Sequence, residues 1–223
     1  MRLNVLLTLM LISACTDNKQ APLQTSTESS KIFSQPVSVD TTKNPTNIWI
    51  DRLTGEKYPL PDSIGGKPIA FYLNSSKVAS IAKALYKGQF RPTDNDSTTL
   101  LLSYVTTNEK TIRPFYRWCL DFTIAISDGA LAEYPGEPAL NYAIKFPEEF
   151  FNYLDNDPTY RRFARWTAII TYSGLPDYGK DSTFNYNIIV EKMTANCKEC
   201  PKSMIERIKA LAKDVTAGQR KNN

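Results

Sequence analysis

Cys197-Lys198-Glu199-Cys200-Pro201 is the segment of this chain whose residue types and spacing are best suited to chemistry. Two thiols three positions apart can close a disulfide or exchange one with another thiol pair. A helix beginning just after them, together with Lys198, favours the thiolate. The rest of the composition limits what those thiols can work with. The 223 residues include four cysteines and no histidine. Without imidazole there is no Ser-His-Asp or Cys-His nucleophile and no HExxH zinc site. Carboxylates, tyrosine and lysine are the acid/base groups that remain.

Asp121 and Asp128 form one candidate carboxylate pair, of the kind that cleaves glycosides. The simpler reading makes Asp128 a helix end before Gly129 and Asp121 a solvated position. Glu148 and Glu149 fall in the first turn of a helix, where they complement its dipole. Arg161, Arg162 and Arg165 interleave with Phe163 and Trp166. They form a cationic face able to grip phosphate or carboxylate groups on lipid, glycan or a protein partner. The plainer alternative has the arginines solvated and the two aromatics in the core. Gly65-Gly66-Lys67 lacks the upstream glycine of a phosphate-binding loop, and Pro68 stands at the Ser/Thr position, so it reads as a turn. No nucleotide and no cofactor is expected. A net charge of +4 is too small to indicate nucleic acid.

Were 184–190 a strand, strand, CxxC and helix would locally resemble the thioredoxin active site. In that fold the motif lies near the start of the domain, with strands and a cis-proline after it. Here one helix and a basic tail follow. With Cys15 set aside for the N-terminal segment described below, Cys119, Cys197 and Cys200 are an odd number, so either Cys197 pairs with Cys200 or Cys119 pairs with one of them. A Cys197–Cys200 disulfide stapling a turn between two helices is the expectation. A three-thiolate metal site would need a carboxylate as its fourth ligand, and no metal is expected.

Residues 1–15 read MRLNVLLTLMLISAC. Arg2 precedes an apolar run, followed by small residues and a cysteine, the layout of an export signal. The run is far shorter than the ~20 residues of a membrane-spanning helix. Leu11-Ile12-Ser13-Ala14-Cys15 resembles the lipobox of bacterial lipoprotein precursors. The resemblance covers this segment alone. It implies cleavage after residue 14 and acylation of Cys15, which would hold the protein on a lipid bilayer. Thr16, rather than Asp, follows the cysteine, which implies the periplasmic side of the outer membrane in a Gram-negative source.

Residues 15–46 then read as the lipidated cysteine and a flexible tether. The 16–46 stretch is polar and carries Lys19, Lys31 and Lys43 against Asp17, Glu28 and Asp40. Such composition buries too little to offset the entropy of ordering it. A coil of this length spans about 30 Å. The alternative is a strand at 32–39 packed on the domain.

Positioning these groups falls to a domain spanning 47–215, with 216–223 as a basic tail. Ile48-Trp49-Ile50 and Tyr58-Pro59-Leu60 flank a turn at Thr54-Gly55 and predict a short hairpin. After it the 3.6-residue period dominates. Val78 to Tyr86 predicts a helix capped by Asn74 or Ser75 and stopped by Gly88. Ile112, Phe115, Tyr116, Cys119, Phe122 and Ile126 share a second helical face. Pro147 opens a third helix, and Asp157-Pro158 caps a fourth that ends at Gly174 and Pro176. Met204 to Val215 predicts a last, basic helix with capping-box spacing at Ser203 and Glu206. The stretches 100–105 and 184–190 fit strand or helix, and the second leans to helix. The fold class is mainly α with a small N-terminal β element, α+β being the alternative.

No catalytic set is complete, which favours a binding module: an anchored, exported domain that docks a protein partner in the cell envelope, for assembly or for immunity against a toxin. The competing expectations are a thiol–disulfide exchange enzyme using Cys197 and Cys200, and a carboxylate-based glycan hydrolase.

Overall fold

The computed structural model describes residues 47–175, 182–197 and 199–219. The signal segment, Cys15, the 16–46 stretch with its alternative strand, Pro176, Lys198 and residues 220–223 lie outside them. The described chain is mainly helical, with two small hairpins at its start.

β1 (Ile48–Ile50) pairs antiparallel with β2 (Lys57–Pro59), Trp49 standing opposite Tyr58. Period-2 alternation buries Trp49 and leaves Ile48 and Ile50 in solvent. β3 (Ser63–Ile64) and β4 (Lys67–Pro68) form a second hairpin, closed by Gly65 and Gly66 at φ 56° and 74°. Both turn positions need the left-handed region, which glycine enters without strain. The stretch that mimics part of a phosphate-binding loop is therefore a tight turn.

The helices follow as α1 (Ile69–Asn74), α2 (Ser80–Tyr86), α3 (Asp96–Ser103), α4 (Arg113–Ile126) and α5 (Gly136–Lys145). After them come α6 (Pro147–Asp155), α7 (Arg161–Ser173), α8 (Ser182–Ala195) and α9 (Lys202–Gln219). The ambiguous 100–105 stretch is helical, forming the end of α3 and a single 3-10 turn. Asn95 decides this locally, since its side chain accepts the Thr98 N–H at 3.1 Å and caps α3. The 184–190 stretch belongs to α8. It buries Ile189 and Met193, with Tyr186 and Val190 half-buried beside them.

Several expected helix ends are displaced. Ser75 ends α1, a helix the periodicity does not reveal, and α2 starts after Ala79. Asp157 does not open α7. Its carboxylate holds the N–H groups of Thr159 and Arg162, and the helix begins at Arg161. α9 begins at Lys202, which places Ser203 inside the first turn and leaves Glu206 paired with Lys209. That helix runs past residue 215 to Gln219.

α4 is the central element. Its apolar face buries Phe115, Tyr116, Cys119, Phe122 and Ile126, as the spacing predicts, and Leu120 is buried beside them. Rings of Tyr72, Phe115, Trp118, Phe122 and Trp49 follow one another across this face at centroid distances of 4.9 to 5.7 Å. Each fully buried large side chain contributes about 1.5–3 kcal/mol. α8 and α9 lie along one another, and α7 packs on α5 and α9. The start of α5 meets the end of α7 at two glycines: a Cβ on Gly136 would stand 2.5 Å from the Gly174 nitrogen. Gly174 thus serves close approach, beyond its role as a helix stop.

Candidate partner-binding groove

α6, α7 and α9 leave a hollow of about 230 Å³ between them, lined by Phe151, Leu154, Tyr160, Phe163, Arg207 and Leu211. Each helix supplies these side chains at helical spacing: 151 and 154 on α6, 207 and 211 on α9. The floor is apolar and one wall is ionic. Arg207 donates to both oxygens of Asp155, at 2.8 and 2.6 Å, and lies 4.4 Å from the centre of the Phe151 ring. This bidentate pairing with Arg207 holds the Asp155 carboxyl below its ordinary range.

Tyr160 is the unusual residue of this site. Its φ is 54°, the left-handed region, and the residue is 73% exposed. A non-glycine residue held there costs on the order of 1–3 kcal/mol. Asp157 supplies the restraint. It accepts from the Thr159 hydroxyl at 2.7 Å and the Arg162 N–H at 2.7 Å, while its carbonyl accepts the Tyr160 N–H. The bonds to its carboxylate, that from the Thr159 hydroxyl above all, lower the Asp157 carboxyl to about 2. The turn therefore stays formed at neutral pH and holds a large ring outward at the mouth of an apolar hollow.

The three arginines of the cationic segment are not equivalent. Arg161 is exposed and pairs with no acid among the described residues. Arg162 turns inward, donates to the Tyr153 carbonyl at 3.0 Å and lies 4.3 Å from the Tyr153 ring centre. Arg162 and Arg165 both approach Asp121, at 3.5 Å each. Asp121 also accepts from Tyr153 at 2.9 Å and from the Trp166 indole at 2.7 Å. It is half-buried, not solvated, and both oxygens are engaged in holding α4, α6 and α7 together. Burial of Tyr153 pushes its hydroxyl upward, which keeps it a donor to that carboxylate.

At the α8–α9 turn, Cys197 and Cys200 meet sulfur to sulfur, with Cα atoms 5.3 Å apart, inside the span a disulfide bridges. Cys197 is 5% exposed, so the sulfur that an exchange enzyme offers to its substrate is covered here. Cys119 is fully buried and free, and burial raises its thiol far above the ordinary range. Glu148 reaches the cysteine pair, with Oε1 3.6 Å from Cys197 Sγ.

The roles of three of these residues escape a reading of the sequence. Tyr160 has the composition of any exposed tyrosine, Glu148 lies 49 positions from Cys197, and Asp121 gains its partners from two later helices. The cue within reach was Asp157 followed at two places by Thr159, the spacing of a side-chain-closed turn.

Comparisons with known protein families, curated proteins and solved structures find nothing that matches this chain. Among the described residues, no helix is long and apolar enough to cross a membrane.

Proposed function

We propose that this chain is a membrane-anchored, exported lipoprotein whose helical domain binds a protein partner in the cell envelope. The observation that carries the binding half is Tyr160, held in a left-handed turn with its ring exposed beside the apolar hollow. Exposed tyrosine and arginine beside a desolvated pocket are the side chains that dominate protein interfaces. Arg161 extends the site with a positive charge. The partner segment it fits places an apolar side chain in the hollow and a carboxylate opposite Arg161. Such a partner is an assembly component or a toxin that this protein neutralises.

The anchoring half rests on residues 1–15: the basic start, the short apolar run and Cys15 after two small residues. Acylated Cys15 holds the chain on the bilayer, with two or more acyl chains needed for stable attachment. The 16–46 stretch joins that anchor to the domain. The Cys197–Cys200 pair acts as a disulfide stapling α8 to α9, in keeping with an oxidising compartment.

Two measurements test the two halves separately. Mass spectrometry of the mature N-terminus is expected to show acyl chains on Cys15, and an unmodified residue there overturns the anchor. Binding of the copurified envelope partner is expected to weaken about 30-fold or more in Tyr160→Ala, the hot-spot range. Unchanged binding overturns the groove.

A further inference from the structure

Cys197 Sγ, Cys200 Sγ and a carboxylate oxygen of Glu148 lie within 4.8 Å of one another. Three features of the chain bring them together. Glu148 stands in the first turn of α6. Asn196, just past α8, donates its side-chain N–H to the Ile144 carbonyl at 2.9 Å and so fastens the cysteine turn beside the α5–α6 junction. Cys197 N–H donates to Thr194 and Cys200 N–H to Cys197, which curls the turn back on itself. Glu148 has no cationic partner among the described residues, although its neighbour Glu149 pairs with Arg113 at 3.3 Å. An ion pair therefore does not account for its position against the sulfurs.

Two sulfurs at Cys-x₂-Cys spacing with a carboxylate oxygen at the same corner are a ligand set for a borderline-soft cation. Zinc takes thiolate sulfur at ~2.3 Å and carboxylate oxygen at ~2.0–2.2 Å, so ligand atoms around one tetrahedral ion stand about 3.5–4 Å apart. Reduction of the Cys197–Cys200 contact frees the two sulfurs to open to that spacing around an ion. We propose that the chain in its dithiol form holds one zinc-class divalent cation on Cys197, Cys200 and Glu148, with water in the fourth position. Binding releases the two thiol protons to solvent. Disulfide formation removes both sulfur ligands, so cation and disulfide exclude one another. The site is independent of the groove and stands or falls apart from it.

The test uses the purified full chain, reduced with a phosphine and titrated with zinc against a chelating dye, then with cobalt as a spectroscopic probe. One equivalent is expected to bind, with tetrahedral cobalt bands and a thiolate-to-cobalt charge-transfer band. Cys197→Ser combined with Cys200→Ser is expected to remove the charge-transfer band. Glu148→Gln keeps both sulfurs and is expected to weaken zinc about tenfold or more, whereas Glu206→Gln on the surface leaves it unchanged. Far-UV circular dichroism confirms that each variant is folded. Glutathione disulfide takes up the two electrons and two protons of the pair as two glutathione molecules, and this treatment is expected to abolish binding. Absence of stoichiometric binding by the reduced chain overturns the proposal. So does a charge-transfer band that survives the double serine variant, or a zinc affinity unmoved by Glu148→Gln.

Discussion

The Trp166 indole N–H donates to Asp121 across 2.7 Å, joining α7 to α4 through one half-buried carboxylate whose other oxygen accepts from Tyr153 on α6. Arg162 and Arg165 supply the compensating charge. The arginine segment that reads as a surface grip is thus divided. Two of its members brace the helices that form the groove, and Arg161 faces outward.

Asp121→Asn keeps the shape and removes the charge. Hydrogen bonds to charged groups contribute about 1.5–3 kcal/mol, and a loss of that order is expected in urea denaturation. Asp121→Leu leaves Arg162 without its acid and is expected to lose more, about 3–5 kcal/mol. Combining Asp121→Asn with Trp166→Phe is expected to cost less than the sum of the two single changes, because the two groups share one bond.

Gly136→Ala inserts a methyl group where α5 meets the Gly174 backbone. Overpacking of this kind costs about 1–3 kcal/mol, and a lower melting temperature by calorimetry is expected. Gly55→Ala tests a different property: its Cβ meets nothing within 4 Å, and the strain comes from φ 75° alone. The smaller effect is expected there.

Acid sensitivity is expected to involve Asp51. Arg91 donates to its two oxygens at 2.8 and 3.0 Å, and this pairing, with the Leu53 N–H, holds the carboxyl below its ordinary value. The resulting stabilisation is complete above the unfolded value near ~3.9 and is lost as pH falls through the lower folded value. In Arg91→Gln the fall in stability below pH ~4 is therefore expected to be shallower, measured by denaturant midpoints across that range. Asp155 and Asp157, also lowered, keep part of the acid limb.

Cys119 is expected to resist alkylation in the folded protein. It is fully buried and its thiol is shifted upward by desolvation. Labelling with iodoacetamide in native buffer should leave it unmodified, and labelling in urea should be complete. Rapid native labelling would contradict the packing of α4.

The sequence makes the helical period of α4, α6 and α9 legible because each buries a broad apolar stripe, and Ile48-Trp49-Ile50 shows its alternation directly. Helix ends are harder to read. Asp157 has the residue type of a cap yet closes a turn instead, since its carboxylate reaches Thr159 and Arg162. α1 has only six residues, too few for a period to emerge. The groove is illegible for another reason. It depends on where α6, α7 and α9 pack relative to each other, which leaves no trace in residue spacing, and on one backbone angle at Tyr160, of which the Asp157-to-Thr159 spacing is the only cue.

The most direct test of the binding account places a photo-crosslinking amino acid at position 160 of the full chain in intact cells. One adduct of discrete mass, containing a single protein partner, is expected. Ala210 of α9 also lines the hollow, and that adduct is expected to disappear when Ala210→Trp fills it, and to be absent when the crosslinker stands at exposed Lys110 instead. No adduct at position 160, or the same adducts from both positions, would contradict it.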